Sequence, residues 1–315
     1  MSGATQGTIL VAPHHFPDLN REQALAEELG YELVAAADAD AFRAGLPEAS
    51  VVMVTPYARL TADDYPAMPK TRAVIRYGMG YDNIDVDAAA KAGIPVAIVP
   101  GTASEEVASH AFAMGLALVR RLPAGDAAIR ENGWAGIIGY DTPVLSDLRI
   151  GVLGLGRIGQ HVARMWSAVG AQVSGYDPFI SDVPVATATL DSVLEESDVV
   201  SLHLPLNEGT QHLISADALS RMRQGAVVVN VSRGGLIDEE ALARALASGR
   251  IGGAGIDTFS QEPLPPEHPL RSTPNTILTP HIAWRSNRST GALQEGAVER
   301  ARLALTGQPL TDVVN

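Results

Sequence analysis

The run Arg149-Ile-Gly-Val-Leu-Gly-Leu-Gly-Arg-Ile-Gly159 constrains the fold more than any other: an apolar strand enters a Gly-x-Gly-x-x-Gly turn and leaves as an apolar-periodic helix. Gly154 permits the tight turn, Gly156 lets the backbone approach a pyrophosphate, and Gly159 lets the helix lie close to the strand. Leu155, Arg157 and Ile158 complete the turn, and the helix N-terminus then offers free amides and a partial positive charge to phosphates. Glycines at this spacing also serve ordinary turns, so the surroundings decide. The next strand, Gln172 to Tyr176, ends at Asp177, 18 residues beyond Gly159, where an acid accepts hydrogen bonds from ribose hydroxyls. No Arg follows in Asp177-Pro-Phe-Ile, and an acid repels a 2′-phosphate, which favours NAD over NADP. The plainer alternative makes Asp177 a surface turn residue.

Short apolar runs alternate with helix-period segments through nearly all of the 315 residues. Strands read at 8–11, 31–35, 51–54, 73–75 and 96–99, then at 149–153, 172–176, 199–204, 226–230, 253–256 and 276–278. The alternation predicts an α/β fold of two doubly wound parallel-sheet domains, and the length allows two cores. A capping box at Thr102-Ala-Ser-Glu105 opens a long apolar helix to about Leu122, with Pro123 at its stop. The segment from Asn132 to Leu148 reads as a connector. The boundaries expected are 1–101 with a C-terminal return at 287–315, and 102–286 for the nucleotide domain, with ligand in a cleft between the two.

Acids outnumber bases 36 to 23, and only Lys70 and Lys91 among the bases are lysine. A formal charge of −13 repels phosphate polymers and anionic membranes, so neither nucleic acid nor membrane is an expected partner. With no cysteine there is no disulfide, thiolate metal site or cysteine nucleophile, and no metal is expected. The small polar N-terminus lacks the features of a leader, so a cytoplasmic, unprocessed protein is expected.

Three polar residues follow strands of the second series: Arg233 in Asn230-Val-Ser-Arg-Gly-Gly235, Glu262 in Asp257-Thr-Phe-Ser-Gln-Glu-Pro263, and His281 in Thr279-Pro-His-Ile. Taken singly, each has an ordinary reading as a solvated cation, a turn residue or a structural imidazole. Together they supply a cation for a carboxylate, an acid/base near neutral pH and a carboxylate to hold that base protonated.

In these motifs the chain resembles the NAD-dependent D-isomer-specific 2-hydroxyacid dehydrogenases. The likeness rests on Gly154 to Gly159, Asp177, Leu202-His-Leu-Pro-Leu-Asn207, Asn230 to Gly235, Asp257 to Pro263, Thr279-Pro-His281 and the loop Tyr77-Gly-Met-Gly-Tyr-Asp-Asn-Ile-Asp85. It implies a flavodoxin-like substrate domain, a Rossmann NAD-binding domain, and hydride transfer between NAD(H) and a small 2-hydroxy or 2-oxo acid. It implies Arg233 on the substrate carboxylate and carbonyl, His281 as acid/base, and Glu262 orienting His281 and favouring its protonated form. Amides of the Tyr77, Gly78, Met79 and Gly80 loop would bind the carboxylate. The cofactor would be lined by His203, Leu204, Pro205, Asn207, Thr210, Val231, Ser232 and Ala283, with Asp257 near the nicotinamide carboxamide.

Arg76 and Trp284, with the Asp177-Pro178 and Met222 to Gly225 stretches, are similar to the C-terminal binding protein corepressors, a branch that binds NAD(H). This gives a second reading, an NAD(H)-responsive binding protein with residual dehydrogenase activity. Arg76 would then grip a second anionic group and Trp284 a bulky substituent, favouring a large 2-oxo acid over glyoxylate. A two-fold dimer through the 102–122 helix is expected on the same likeness.

Overall fold

The computed structural model describes residues 5–134, 142–180 and 182–315. It divides into two compact units, Met1–Thr102 with Ser286–Asn315, and Ala103–Arg285. Part of the expected connector, residues 135–141, lies outside the described residues.

The first unit carries β1 (Thr8–Val11), α1 (Asn20–Leu29), β2 (Glu32–Ala35), α2 (Ala39–Gly45), β3 (Ala49–Val54), β4 (Ala73–Arg76), α3 (Val86–Lys91) and β5 (Val96–Ile98). Its parallel strands run in the order β2-β1-β3-β4-β5. Every residue of β3 is buried, Ser50 included, and its apolar run Val51 to Val54 is that of a strand covered on both faces. α2 has little apolar periodicity beyond buried Phe42, and it is instead started by Asp38, whose carboxylate accepts from the Ala41 amide at 2.8 Å. The order switches between β1 and β3, so their outgoing loops part there. Thr55 Oγ1 donates to the Pro13 carbonyl at that end, and the His15 and Tyr57 rings meet edge to face at 4.6 Å.

The second unit holds α4 (Ser104–Val119), α5 (Leu122–Arg130), β6 (Arg149–Leu153), α6 (Arg157–Ala168), β7 (Gln172–Tyr176), β8 (Ala186–Thr187), α7 (Leu190–Glu196), β9 (Val199–Leu202), α8 (Ala216–Arg221), β10 (Ala226–Asn230), α9 (Glu239–Ala247), β11 (Ile251–Ile256) and β12 (Thr276–Leu278). Its seven parallel strands are ordered β12-β11-β10-β9-β6-β7-β8. Alternate residues of β9 and β10 enter two cores: Val199, Val227 and Val229 join Met114, Leu118 and Trp166 from α4 and α6, while Val200 and Val228 join Leu194, Leu219 and Leu242 from α7, α8 and α9. The last helix, α10 (Ser289–Thr306), belongs to the first unit and packs on β3 and β4.

Two local readings are corrected. α4 begins at Ser104 with Ala103 at its cap and no capping side chain, so Thr102 does not form the expected box. Burial of Ala108, Ala111, Met114 and Leu118 fixes where the helix sits, and Thr102 falls one position too early. Pro123 does not stop α4, which ends at Val119; after left-handed Arg121 (φ 53°) it sits in the first turn of α5, where a missing N–H costs nothing. The two-residue β8 is exposed and escaped the sequence reading. Among the described residues, no helix is long and apolar enough to cross a membrane.

Candidate active site

The glycine turn sits where the second sheet's order reverses between β6 and β9. Gly154 has φ 92°, and a Cβ there would come 2.4 Å from the His203 carbonyl oxygen. At Gly159 a Cβ would lie 1.9 Å from the Gly154 carbonyl oxygen, whereas Gly156 has nothing within 4 Å. The first two glycines are therefore needed by the protein's own backbone, and the third leaves a clear face. Gly156 caps α6 with no side chain, so the helix's first amides remain for an anion, and a pyrophosphate fits this cradle. Leu155 is fully buried beneath it, Ile158 is half-buried and Arg157 is exposed.

Asp177 ties the end of β7 to this turn: Oδ2 accepts from the Leu155 amide at 2.8 Å, and Oδ1 from the Phe179 and Ile180 amides at 2.9 and 3.1 Å. It is both a turn residue and part of the cradle. Across the switch, the Ser201 hydroxyl and His203 Nε2 are 2.8 Å apart, while His203 Nδ1 is shut off from solvent without a partner. Burial pushes its pKa down to about 3, so the imidazole is neutral. Leu204 is half-buried and Pro205 exposed. Thr210 closes the loop by donating to the Pro205 carbonyl and accepting from the Asn207 amide. Val231 is buried, and Ser232 donates to the Leu202 carbonyl at 2.8 Å, joining the ends of β9 and β10.

Glu262 and His281 come together, Oε2 to Nδ1 at 2.8 Å, with both side chains about a quarter exposed. Burial raises the Glu262 carboxyl, but the His281 hydrogen bond and charge, the Phe259 amide and the Arg233 guanidinium outweigh it and hold it below the ordinary carboxylate value. Arg233 is aimed from the end of β10 by fully buried Asn230, which donates to its carbonyl at 2.8 Å. Its Nη1 donates to the Ser232 carbonyl at 2.7 Å. Close approach of this segment to the Glu262 loop depends on Gly234, where a Cβ would stand 1.9 Å from the Phe259 carbonyl carbon.

His281 has φ 53°, a left-handed conformation unusual for a residue with a side chain. Asp257 fixes it. The His281 amide donates to the Asp257 carbonyl at 2.8 Å, and the fully buried carboxylate accepts from Thr279 Oγ1 at 2.5 Å and the Ile282 and Ala283 amides at 2.9 Å. The Asp257 carboxylate therefore shapes the His281 turn. Trp284 does not project freely either, since its Nε1 donates to the His281 carbonyl at 3.1 Å and Arg285 lies over its ring.

In the first unit, Gly78 has φ 117° and Met79 is half exposed. Two neighbours differ from expectation. Arg76 is buried, with Nε 3.3 Å from Asn83 Oδ1 and Nη1 on the Tyr77 carbonyl, so it braces the glycine loop. The Tyr77 ring turns into the core, where its hydroxyl donates to buried Glu22 at 2.8 Å. Burial, with Glu22 alongside, raises that phenol well above its ordinary value. Only the backbone of Tyr77 is available to a ligand.

The fold and the site define a nucleotide-binding α/β protein with a cation, carboxylate and imidazole set on the same unit as the cradle. Residues 112–283 match the D-isomer specific 2-hydroxyacid dehydrogenase, NAD binding domain, family. The glyoxylate reductase of Korarchaeum cryptofilum is 39% identical over 267 residues, covering 81% of this chain and 80% of that protein. D-3-phosphoglycerate dehydrogenase of Mycobacterium tuberculosis is 37% identical over 93% of this chain but 56% of its own length, so the chain spans just over half of that relative. The D-lactate dehydrogenase of Aquifex aeolicus, in a structure with NAD and lactic acid, has a TM-score of 0.87 at 30% identity, covering 95% of this chain and 96% of that one. The chain belongs to the D-isomer specific 2-hydroxyacid dehydrogenase family, and its second unit is the family's NAD-binding domain.

Glu239 and His110 lie outside the motifs read from the sequence, and Gly234 and Thr279 stand inside them without an assigned role. His110 Nε2 lies 3.1 Å from Thr279 Oγ1. Their roles depend on contacts between segments far apart in the chain, and nothing in their local pattern separates them from ordinary helix and loop residues.

Proposed function

We propose that the protein is an NAD-dependent D-2-hydroxyacid dehydrogenase working as a 2-oxo acid reductase. The observation that carries the reading is the Glu262 to His281 contact at 2.8 Å on the unit that bears the glycine cradle. When bound, NADH supplies the hydride for the 2-oxo carbon. The Gly154 to Gly159 turn and the α6 amides hold the pyrophosphate, and Asp177 faces the ribose. Arg233 binds the substrate carboxylate and polarises the carbonyl. His281 gives its proton to the carbonyl oxygen on reduction and takes it back on oxidation, and Glu262 orients the ring for both.

Tyr57, Met79 and Tyr81 are large, more than a third exposed, and leave the carboxyl ends of β3 and β4 beside the glycine loop. They leave exposed apolar surface at that end of the first unit, and the substrate proposed is a 2-oxo acid with a substituent larger than hydrogen in preference to glyoxylate. The face of α4 that packs on the sheet is used up, so a homodimer would draw on its other face and on exposed Leu122 and Ile129 of α5. Steady-state turnover of a panel of 2-oxo acids, with NADH and NADPH compared, tests the proposal. Turnover of bulky substrates with NADH supports it. No turnover of any substrate overturns it in favour of a binding role, and a strong preference for glyoxylate removes the substituent argument.

A further inference from the structure

Glu239 stands in the first turn of α9, where an acid ordinarily faces solvent and gains a little from the helix dipole. Here it is only 9% exposed, and both carboxylate oxygens are engaged. Oε1 accepts from the Ser260 amide at 2.8 Å, and Oε2 lies 3.1 Å from His268 Nε2. His268 Nδ1 accepts from the Leu270 amide at 3.3 Å, so its hydrogen sits on Nε2 and points at Glu239. A buried carboxylate with two donors is expensive to disturb, because removing it strands an amide and an imidazole N–H.

Both anchors of Glu239 lie on the strap that follows Asp257. Phe259, beside Ser260, donates its amide to Glu262 Oε1 at 3.0 Å, and Glu262 Oε2 meets His281. The same two backbone positions are pressed by Gly234, where a Cβ would lie 1.9 Å from the Phe259 carbonyl carbon and 2.1 Å from the Ser260 nitrogen. The segment leaving Arg233 therefore grips the Phe259 to Glu262 turn twice, once by steric fit at Gly234 and once by the Glu239 hydrogen bond. Further along, Arg271 holds the strap through the Leu264 and Pro265 carbonyls at 2.6 and 2.8 Å.

We propose that Glu239 is a positioning residue of the active site: by fixing the Ser260 amide it sets where the Glu262 carboxylate meets His281 and keeps both in register with Arg233. The inference rests on the acid/base reading of Glu262 and His281 given above. Glu239 touches no substrate and supplies no proton. It acts through one loop, so its loss should move the rate and its pH dependence without moving cofactor binding.

The experiment compares Glu239→Ala, Glu239→Gln, His268→Ala and Glu262→Gln with the full wild-type chain, using NADH and the best 2-oxo acid of the panel. Hydrogen exchange of the 258–263 amides in the cofactor-free protein gives a readout independent of turnover. Glu239→Ala is expected to speed that exchange by about tenfold or more and to lower kcat by about 10- to 100-fold, the scale of a small misplacement of reacting groups. NADH affinity should stay within about twofold, and the pH profile of kcat should differ from that of the wild type. Glu239→Gln keeps an acceptor for the Ser260 amide but turns its NH2 on the His268 Nε2–H, so it should recover part of the rate. Should Glu239→Ala not fold, His268→Ala, which releases one Glu239 oxygen, should still lower kcat several-fold with the same change in the profile.

Faster exchange with wild-type kcat and pH profile overturns the proposal and leaves Glu239 a structural tie. Equal losses in Glu239→Gln and Glu239→Ala also overturn it, since the acceptor would then not be what matters. If Glu262→Gln turns over like wild type, the acid/base reading fails. If Glu262→Gln is impaired while the Glu239 and His268 variants are not, only the present inference falls.

Discussion

Glu262 Oε2 lies 2.8 Å from His281 Nδ1, leaving Nε2 of the same ring as the atom able to exchange a proton with substrate. The carboxylate, held below its ordinary value by the His281 hydrogen bond and the Arg233 charge, orients the ring for that exchange. His281→Ala should therefore lower kcat at least about 100-fold with NADH affinity little changed. Glu262→Gln keeps a hydrogen-bonding oxygen without the charge, so it should lower kcat by less than His281→Ala does and alter the pH profile of reduction. Stopped-flow turnover beside a fluorescence titration of NADH reads both. Near-normal turnover of His281→Ala would remove the assignment.

Asp257 is the support beneath that pair. Replacing it with Ala strands the Thr279 hydroxyl and the Ile282 and Ala283 amides, and frees His281 from a conformation that costs on the order of 1–3 kcal/mol. A loss of about 3–4 kcal/mol of stability is expected, with a larger fall in kcat than in NADH affinity. Asp257→Asn, retaining one acceptor, should lose about half as much. Urea denaturation with parallel kinetics measures both. An unchanged denaturation midpoint in Asp257→Ala would contradict the buried-anchor account.

How much of this was legible in the sequence depended on whether the cause was local. β1, β6, β7, β10 and β12 fall where the short apolar and β-branched runs put them, and the central β6 and β10 read as near-continuous apolar runs because both their faces are covered. Local rules also exposed the Gly154 to Gly159 turn, since backbone sterics demand glycine there. α2 and β8 were missed for want of periodicity. At the site, the spacing of Arg233, Glu262 and His281 behind successive strands gave the candidates, but not what holds them. Asp257, Gly234 and Glu239 act across segments that meet only in the folded chain, and the side chains of Arg76 and Tyr77 turned inward to half-buried Asn83 and buried Glu22.

The three glycines of the cradle should separate in experiment. Gly156 has open space around its Cα and φ −67°, so Gly156→Ala should fold with wild-type stability. Its methyl would nevertheless stand on the face meant for pyrophosphate, weakening NADH by about tenfold or more. Gly159→Ala instead collides with the Gly154 carbonyl and should lose stability as well as affinity. Thermal melting with and without NADH distinguishes the two, and unaltered NADH affinity in Gly156→Ala would move the cofactor away from this turn.

His203 makes a prediction about acid stability. Its ordinary value of 6.5 is pushed by burial to about 3 in the folded protein. Between those values the unfolded chain takes up a proton that the folded chain refuses, so unfolding is favoured as pH falls through the window. The stabilisation is complete above pH 6.5, declines through the window and is gone below about 3, whatever other groups contribute. At pH 5, about 1.5 pH units into the window, His203 should account for about 2 kcal/mol of lost stability relative to pH 7. His203→Gln retains a polar side chain and removes the titration, so its stability should fall by about that much less over the same interval. Urea unfolding of both proteins at pH 7 and pH 5 gives the double difference. Parallel curves would mean that the imidazole is protonated in the folded protein or reaches water, and the neutral buried ring beside the glycine turn would have to be abandoned.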